Sequence, residues 1–254
     1  MESALLNSNL YVNKVILSKK IPRNNYLSKL PMIKNLKKMQ ELKFTKPVTF
    51  LVGENGVGKS TLIEGIAVAM GFNPEGGTVN FNFSTKASHS DLHEYLTISK
   101  GFKRHKDGFF LRAESFYNVA SNIDDMDSEP YGGPPIIYNY GGVSLHNQSH
   151  GESFMALVEN RFWGNGLYIL DEPEAALSPA RLMRLMCCMK ELVDNNSQFI
   201  ISTHSPILMT FPDAEVLEIS EDGIKSVNFR ETEHFLITKR FMDAPDKMIK
   251  ELLG

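Results

Sequence analysis

Eight residues, Gly53-Glu54-Asn55-Gly56-Val57-Gly58-Lys59-Ser60, constrain this chain more than any other feature, because they match the pattern G-x-x-x-x-G-K-[ST]. Pro47 to Val52, just before them, reads as a short buried strand of β-branched and aromatic residues. Ser60 to Met70, just after, spaces Leu62, Ile63, Ile66, Ala67 and Ala69 as a helix and stops at Gly71, where a C-terminal glycine is expected. Strand, glycine turn and helix in that order form a phosphate site. The glycines let successive backbone N–H groups wrap an anion, the helix N-terminus adds partial positive charge, and Lys59 adds a full one. The Ser60 hydroxyl is placed to hold Mg²⁺.

The remaining sequence has the material to build a sheet around that strand. Its 254 residues, 42% hydrophobic and 22% charged, exclude disorder, collagen and a disulfide scaffold, and suit one compact unit over 1–254. The only cysteines, Cys187 and Cys188, are adjacent in an apolar run, which predicts buried thiols of a reducing compartment. No stretch approaches the ~18 to 20 apolar residues of a membrane span, and the first residues lack a charged start followed by an apolar signal core. The expected location is cytoplasmic.

Further elements follow from periodicity. Leu10 to Leu17 reads as a strand, and Thr78 to Phe83, Glu94 to Ser99 and Gly108 to Arg112 suggest a small antiparallel layer. Asn122 to Gly142, with Asp124, Asp125, Asp127, Pro130 and Gly132, reads as a mobile surface loop. Phe154, Leu157 and Val158 mark a helix. Leu167 to Leu170 and Gln198 to Ser202 are buried strands separated by a helix over Pro179 to Val193, an alternation that predicts a mostly parallel sheet with covering helices. The tail from Glu231 to Gly254 reads as a helical closing element or a docking face.

Three more motifs carry chemistry. Leu167-Tyr168-Ile169-Leu170-Asp171-Glu172 is an apolar strand ending in two carboxylates. Asp171 suits a Mg²⁺ shell and Glu172 suits polarising a water, although such pairs also cap helices. His204 follows the next strand, from where one hydrogen bond could reach a γ-phosphate. In Ser149-His150-Gly151-Glu152-Ser153, Ser149 and the Gly151 backbone open a helix and make either an anion site or an ordinary capping sequence.

In order, GENGVGKST, SHGES, YILDEPEAALSP and STHSP resemble the ATP-binding head of the ABC-type ATPases. The detail is similar to the stand-alone ATPases related to the SMC and RecF heads, whose acidic motif commonly reads DEPE. The resemblance runs from about Leu10 to about Ile219. It implies an α/β P-loop NTPase fold with a mostly parallel core sheet, an antiparallel β layer and a small helical signature subdomain over about 115–165. It also implies an ATPase, converting ATP and water to ADP and phosphate, that works as a homodimer induced by ATP. Each nucleotide would lie between one subunit's loop, Gly53, Glu54, Asn55, Gly56, Val57, Gly58, Lys59, Ser60 and Thr61, and the other subunit's Ser149 and Gly151. Asp171 would support the metal, Glu172 would be the catalytic carboxylate, and His204 would sense the γ-phosphate.

The chain departs from such families at three places. Glu114 stands where they carry a glutamine and would meet the metal shell, SHGES replaces the usual SGGQ, and Ser178 replaces a frequent aspartate. These changes point to slow turnover. The 34 residues between Glu114 and Ser149 hold no heptads, so they cannot tether DNA at a distance.

Residues 1 to 50 carry ten Lys and Arg against Glu2 and Glu41, a net of +8, while the rest of the chain carries −11. The cluster is either a footprint for nucleic acid or a solvated basic face beside a nucleotide site, and its interleaving with core-type residues favours the second. Tyr26, 27 residues before Gly53, reads as a core tyrosine in preference to a base-stacking one. The expected function is a soluble ATPase switch that acts on a protein effector or a nucleic-acid-bound complex, in DNA maintenance or anti-phage defence. The ATP-binding subunit of a membrane ABC transporter is the alternative, disfavoured by Glu114, SHGES and DEPE. A small-molecule phosphotransferase would leave SHGES and His204 unexplained, and Glu172 argues against a module that binds ATP without cleaving it.

Overall fold

The computed structural model describes residues 10–79, 90–114, 116–128 and 135–254. In chain order, β1 (Val12–Leu17), α1 (Pro31–Met39) and β2 (Glu41–Lys43) lead to β3 (Val48–Val52) and α2 (Lys59–Met70). Next come β4 (Leu96–Lys100), β5 (Asp107–Arg112), α3 (Phe116–Ser128), α4 (His150–Arg161) and β6 (Gly166–Asp171). Then follow α5 (Pro179–Asp194), β7 (Gln198–Ser202), the one-turn α6 (Pro206–Met209), β8 (Glu215–Ile219) and β9 (Ile224–Ser226). Two helices, α7 (Glu233–Asp243) and α8 (Pro245–Leu253), close the series.

β3 is central in a six-stranded sheet ordered β5-β6-β7-β3-β8-β9, parallel throughout except for β9. Both faces are covered, so these strands read as continuous apolar runs. Strand alternation sends Phe50, Val52, Tyr168 and Leu170 into one core with Leu185 and Met189 of α5. Leu51, Ile169 and Ile200 enter the other, with Leu62, Ile63 and Ile66 of α2 and Val12 and Val15 of β1. A second sheet, β2-β1-β4, is antiparallel. The two sheets are joined by Gln198, whose Oε1 accepts from Tyr11 N at 2.8 Å and Val12 N at 2.9 Å while its Nε2 donates to Val12 O at 2.9 Å.

Several expectations change. Gly108 to Arg112 does not lie in the antiparallel layer: β5 is the parallel edge of the main sheet, because Phe109 and Leu111 pack into one core and Phe110 into the other. Of the strand expected over Thr78 to Phe83, residues 80–83 lie outside the described residues; Thr78 and Val79 form no strand, and only Gly77 bridges Phe110. Glu94 and Tyr95 belong to a 3-10 turn over Asp91–Tyr95, so that strand begins at Leu96. Asn122 to Gly142 is not a loop throughout. Residues 122–128 continue α3, whose Phe116, Val119, Ala120 and Ile123 form a buried helical stripe, and Ile136–Tyr140 is a 3-10 turn; residues 129–134 lie outside the described set.

The thiols are not buried: Cys187 is exposed and Cys188 intermediate, because α5 turns Leu182, Leu185, Met189 and Leu192 inward at helical spacing. Tyr26 is 55% exposed and so is no core tyrosine. The tail is helical as read, yet α7 and α8 contain no buried residue and close no core.

Candidate functional site

The end of β3 opens into a loop with three glycines, Gly53, Gly56 and Gly58, in the left-handed region of the backbone. Gly53 has φ +143°, and a Cβ there would lie 2.3 Å from Ile219 O of the neighbouring β8; Gly58, with φ +100°, caps α2. Met32 N, at the start of α1, donates to Val57 O at 2.9 Å and holds the loop from outside. Among the described residues, the amides of residues 55 to 58 donate to no acceptor. Unpaired backbone donors ahead of a helix N-terminus fit an oxygen-rich anion. Glu54, Asn55 and Gly56 are exposed at the loop tip, and Ser60 and Thr61 sit in the first turn of α2.

Lys59 is 4% exposed, and its Nζ donates to Gly53 O at 2.7 Å and Glu54 O at 3.0 Å across the loop. Burial pulls its pKa down, opposed by the negative fields of Glu172, Asp171 and Glu174. Those carboxylates come from the end of β6, two strands away. Asp171 is 7% exposed and accepts a short hydrogen bond from Ser202 Oγ of β7. With the Ser60 hydroxyl it offers the hard oxygen donors that suit Mg²⁺.

Glu172 sits at φ 50°, ψ 56°, a left-handed conformation that costs a non-glycine residue on the order of 1 kcal/mol or more. It is held there by Glu172 N donating to Ser202 O at 3.1 Å. Burial first, then Asp171 and Glu114, raise the Glu172 pKa against the pull of Lys59. His204 Nε2 lies 3.5 Å from Glu172 Oε1, and the His204 backbone N donates to Glu174 Oε1 at 2.5 Å. Burial, with Lys59 and His234, pushes the His204 pKa down to about 4. Lys59, Asp171, Glu172 and His204, read from three separate motifs, therefore share one electrostatic site.

Ser149 is exposed at the start of α4, and Gly151 is buried two residues on. Glu152 accepts from Ser149 N at 3.0 Å and Ser149 Oγ at 2.5 Å, so the capping arrangement is formed. A Cβ on Gly151 would meet Arg181 Nη1 at 2.5 Å and Ala176 O at 2.9 Å, so the start of α4 rests on the loop that follows Glu172. The Glu114 side chain is 88% exposed, 3.7 Å from Arg112 Nη2.

Two residues were missed. Arg112, at the end of β5, reaches Glu64 of α2 at 2.6 Å and Asp171 at 3.5 Å. It sits two positions before Glu114, and nothing local marks it, because its place beside Asp171 exists only once β5 pairs with β6. His234, on α7, contacts His204 with Nε2 2.8 Å from its Nδ1. Nothing local in the tail marks it, because the pairing spans 30 residues and depends on how α7 returns to the sheet.

A phosphate-type loop after the central strand of a parallel sheet, a carboxylate pair at a nearby strand end and a histidine just past the strand between give the chain the α/β fold and site layout of P-loop heads. Two family models match parts of the chain: residues 149–210 match one described as "AAA domain, putative AbiEii toxin, Type IV TA system", and residues 32–121 match one described as "AAA domain". The chain is similar to the Retron Vc95 probable ATPase of Vibrio cholerae serotype O1 biovar El Tor, with 30% identity over a match that covers 42% of this chain. That match spans 24% of the relative, about a quarter of its length. Among solved structures, cbiO1 from Clostridium perfringens, part of the ABC transporter complex cbiONQ, superposes with a TM-score of 0.51 at 17% identity, covering 96% of this chain and 99% of that one. An ATP-binding cassette of an ABC transporter gives a TM-score of 0.50 at 14% identity, covering 96% and 100%. At these identities the likeness is one of fold. No described helix is long and apolar enough to cross a membrane.

Proposed function

We propose that this protein is a slow ATP-hydrolysing switch that works as an ATP-sandwiched homodimer and transmits closure to a partner, in defence or DNA maintenance. The observation that carries the reading is the convergence of Lys59, Asp171, Glu172 and His204. Lys59 and the loop amides bind the phosphates, and Ser60 and Asp171 are the side chains that would hold Mg²⁺, which supplies charge neutralisation when bound. Glu172, its basicity raised by burial, orients the attacking water and accepts its proton. His204 donates to the γ-phosphate. Ser149 and Gly151, which open α4 and form no contact with these groups among the described residues, complete the partner subunit's site.

Lys59→Ala is expected to abolish ATP binding; retained tight binding refutes the assignment. Glu172→Gln is expected to form a dimer with ATP and Mg²⁺ that Ser149→Arg disrupts, as read by light scattering. A monomer with ATP bound under all conditions overturns the sandwich.

The basic N-terminal region favours a nucleic-acid partner on a specific observation. Lys14 and Lys43 share the Glu41 carboxylate, at 3.0 and 2.9 Å, and stand apart from the groove. Lys19, Lys20, Arg23, Lys34, Lys37 and Lys38 line one groove of about 890 Å³ over Leu17, Ile21 and Ile33, and none forms an ion pair among the described residues. Among the described residues no carboxylate lines the groove. Six unpaired cations in one concavity form a track for phosphates. Lys34→Gln/Lys37→Gln/Lys38→Gln is expected to reduce the salt slope of duplex binding by about 3, at roughly 0.9 per lost phosphate contact. Lys14→Gln/Lys43→Gln is expected to leave it unchanged. Equal slopes in all three proteins overturn this partner reading without touching the ATPase one.

A further inference from the structure

We infer that His234 is a positioning residue which fixes the tautomer of His204, so that His204 carries its proton on Nε2. Two features of the His204 ring meet in this conclusion. On one side, Nδ1 lies 2.8 Å from His234 Nε2, a hydrogen bond that requires one proton between the two nitrogens. On the other side, Nε2 is buried with no hydrogen-bond partner among the described residues, and Glu172 Oε1 stands 3.5 Å away.

A neutral imidazole has one N–H, so only one of its nitrogens can donate. If His204 gave Nδ1–H to His234, its buried Nε2 would hold a lone pair facing a carboxylate oxygen, with no donor to satisfy it. If His234 gives Nε2–H to His204 Nδ1, then His204 Nε2 carries the proton and faces an acceptor. The second arrangement satisfies both sides of the ring. Burial first, then Lys59 and the second imidazole, disfavour the imidazolium, so the ring stays neutral and the tautomer matters.

His234 can impose this because the first turn of α7 is pinned. Thr232, buried at the N-cap, donates to Phe229 O at 2.7 Å and accepts from Phe235 N at 3.4 Å, and Phe229 and Phe235 meet edge to face. Past that turn the helix is open, with Leu236, Ile237 and Met242 exposed. The His234 end of α7 is thus the part held by hydrogen bonds and ring packing. The meaning of the Nε2 proton, a donor for the γ-phosphate, rests on the proposed function; the tautomer itself does not.

The test compares His234→Gln, which keeps a side-chain N–H at about the same reach, with His234→Leu, which removes it. The ring ¹⁵N shifts of His204 in nucleotide-free protein, assigned by their loss in His204→Gln, report the tautomer. The Nε2–H form is expected in the parent and in His234→Gln, and a mixed population in His234→Leu. The ratio of ATP to ADP affinity is expected to fall about tenfold or more in His234→Leu, the order of one lost hydrogen bond to a charged group, and to survive in His234→Gln. A Nδ1–H parent, or a His234→Leu protein with parental tautomer and parental ratio, overturns the inference. A packing role alone would impair both variants alike, which also overturns it. Absence of ATP binding in the parent would instead defeat the ATPase reading and leave the tautomer result standing.

Discussion

Arg112 and Glu64 face each other at 2.6 Å, with side chains 20% and 7% exposed, and this ion pair ties the helix of the phosphate loop to the strand edge beside Asp171. The same guanidinium lies 3.5 Å from Asp171 through Nε. Glu64 also accepts from Ser90 N at 2.6 Å, so its carboxylate is engaged at both oxygens.

Arg112→Met is therefore expected to leave two buried carboxylates without their cation, a loss of about 3–5 kcal/mol by urea unfolding. Adding Glu64→Gln should recover part of it, because the uncompensated charge is then gone. A change below about 1 kcal/mol would show that solvent reaches Glu64 in a way its burial does not suggest.

Asp107 is a second engaged carboxylate. Burial alone would raise its pKa, but the Trp163 N–H at 3.0 Å, Arg161 at 2.7 Å and the Tyr168 hydroxyl at 2.7 Å outweigh it and hold the group below the ordinary carboxylate range. A depressed folded pKa means that the unfolded chain takes up protons first. Its contribution is present above the unfolded value near 4 and is lost as pH falls through the folded one. Asp107→Asn is expected to flatten the acid limb of the stability profile below about pH 4. An unchanged limb would assign acid unfolding to other groups.

His204 acts in a neighbouring window. Its folded pKa of about 4 lies below the ordinary value near 6.5, so the unfolded chain binds more protons between those pH values. The contribution of His204 is fully present above about pH 6.5 and is lost as pH falls toward about 4. Subtracting the profile of His204→Gln isolates it from Glu172 and Glu174, whose raised pKa values act in the opposite sense. A difference that is flat from pH 4 to 7 would mean that the ring titrates normally.

Gly151→Ala is expected to cost about 1–3 kcal/mol, because the added methyl must displace Arg181 and press on the Ala176 carbonyl. The ATP-dependent dimer should weaken with it, since α4 and the loop after Glu172 would no longer seat together. Normal stability with a normal dimer would show that the contact relaxes without consequence.

The phosphate loop, the strand ending in Asp171 and Glu172, and His204 were legible because each is a local pattern: a glycine spacing, an apolar run with a charged end, a histidine after a strand. Arg112 and His234 were not, because their roles exist only once β5 lies beside β6 and α7 folds back on β7. The placement of β5 failed for the same reason, since five apolar-rich residues fit an antiparallel layer and a parallel edge equally well in sequence. The exposure of Cys187 was recoverable in principle: three residues from Arg184 and Lys190 on one helix, it shares their outward side, whereas counting apolar neighbours in a run ignores the 100° turn between them.

The Gln198 amide has a further consequence. It meets β1 where that strand's pairing with β4 shifts register between Val12 and Lys14, and there it supplies the partners that a neighbouring strand would otherwise provide. One side chain thus works as a surrogate strand across a fault in the ladder. The two sheets cannot slide past one another without breaking three hydrogen bonds at once, and the strand that makes those bonds at its start ends on Ser202, which donates to the Asp171 carboxylate.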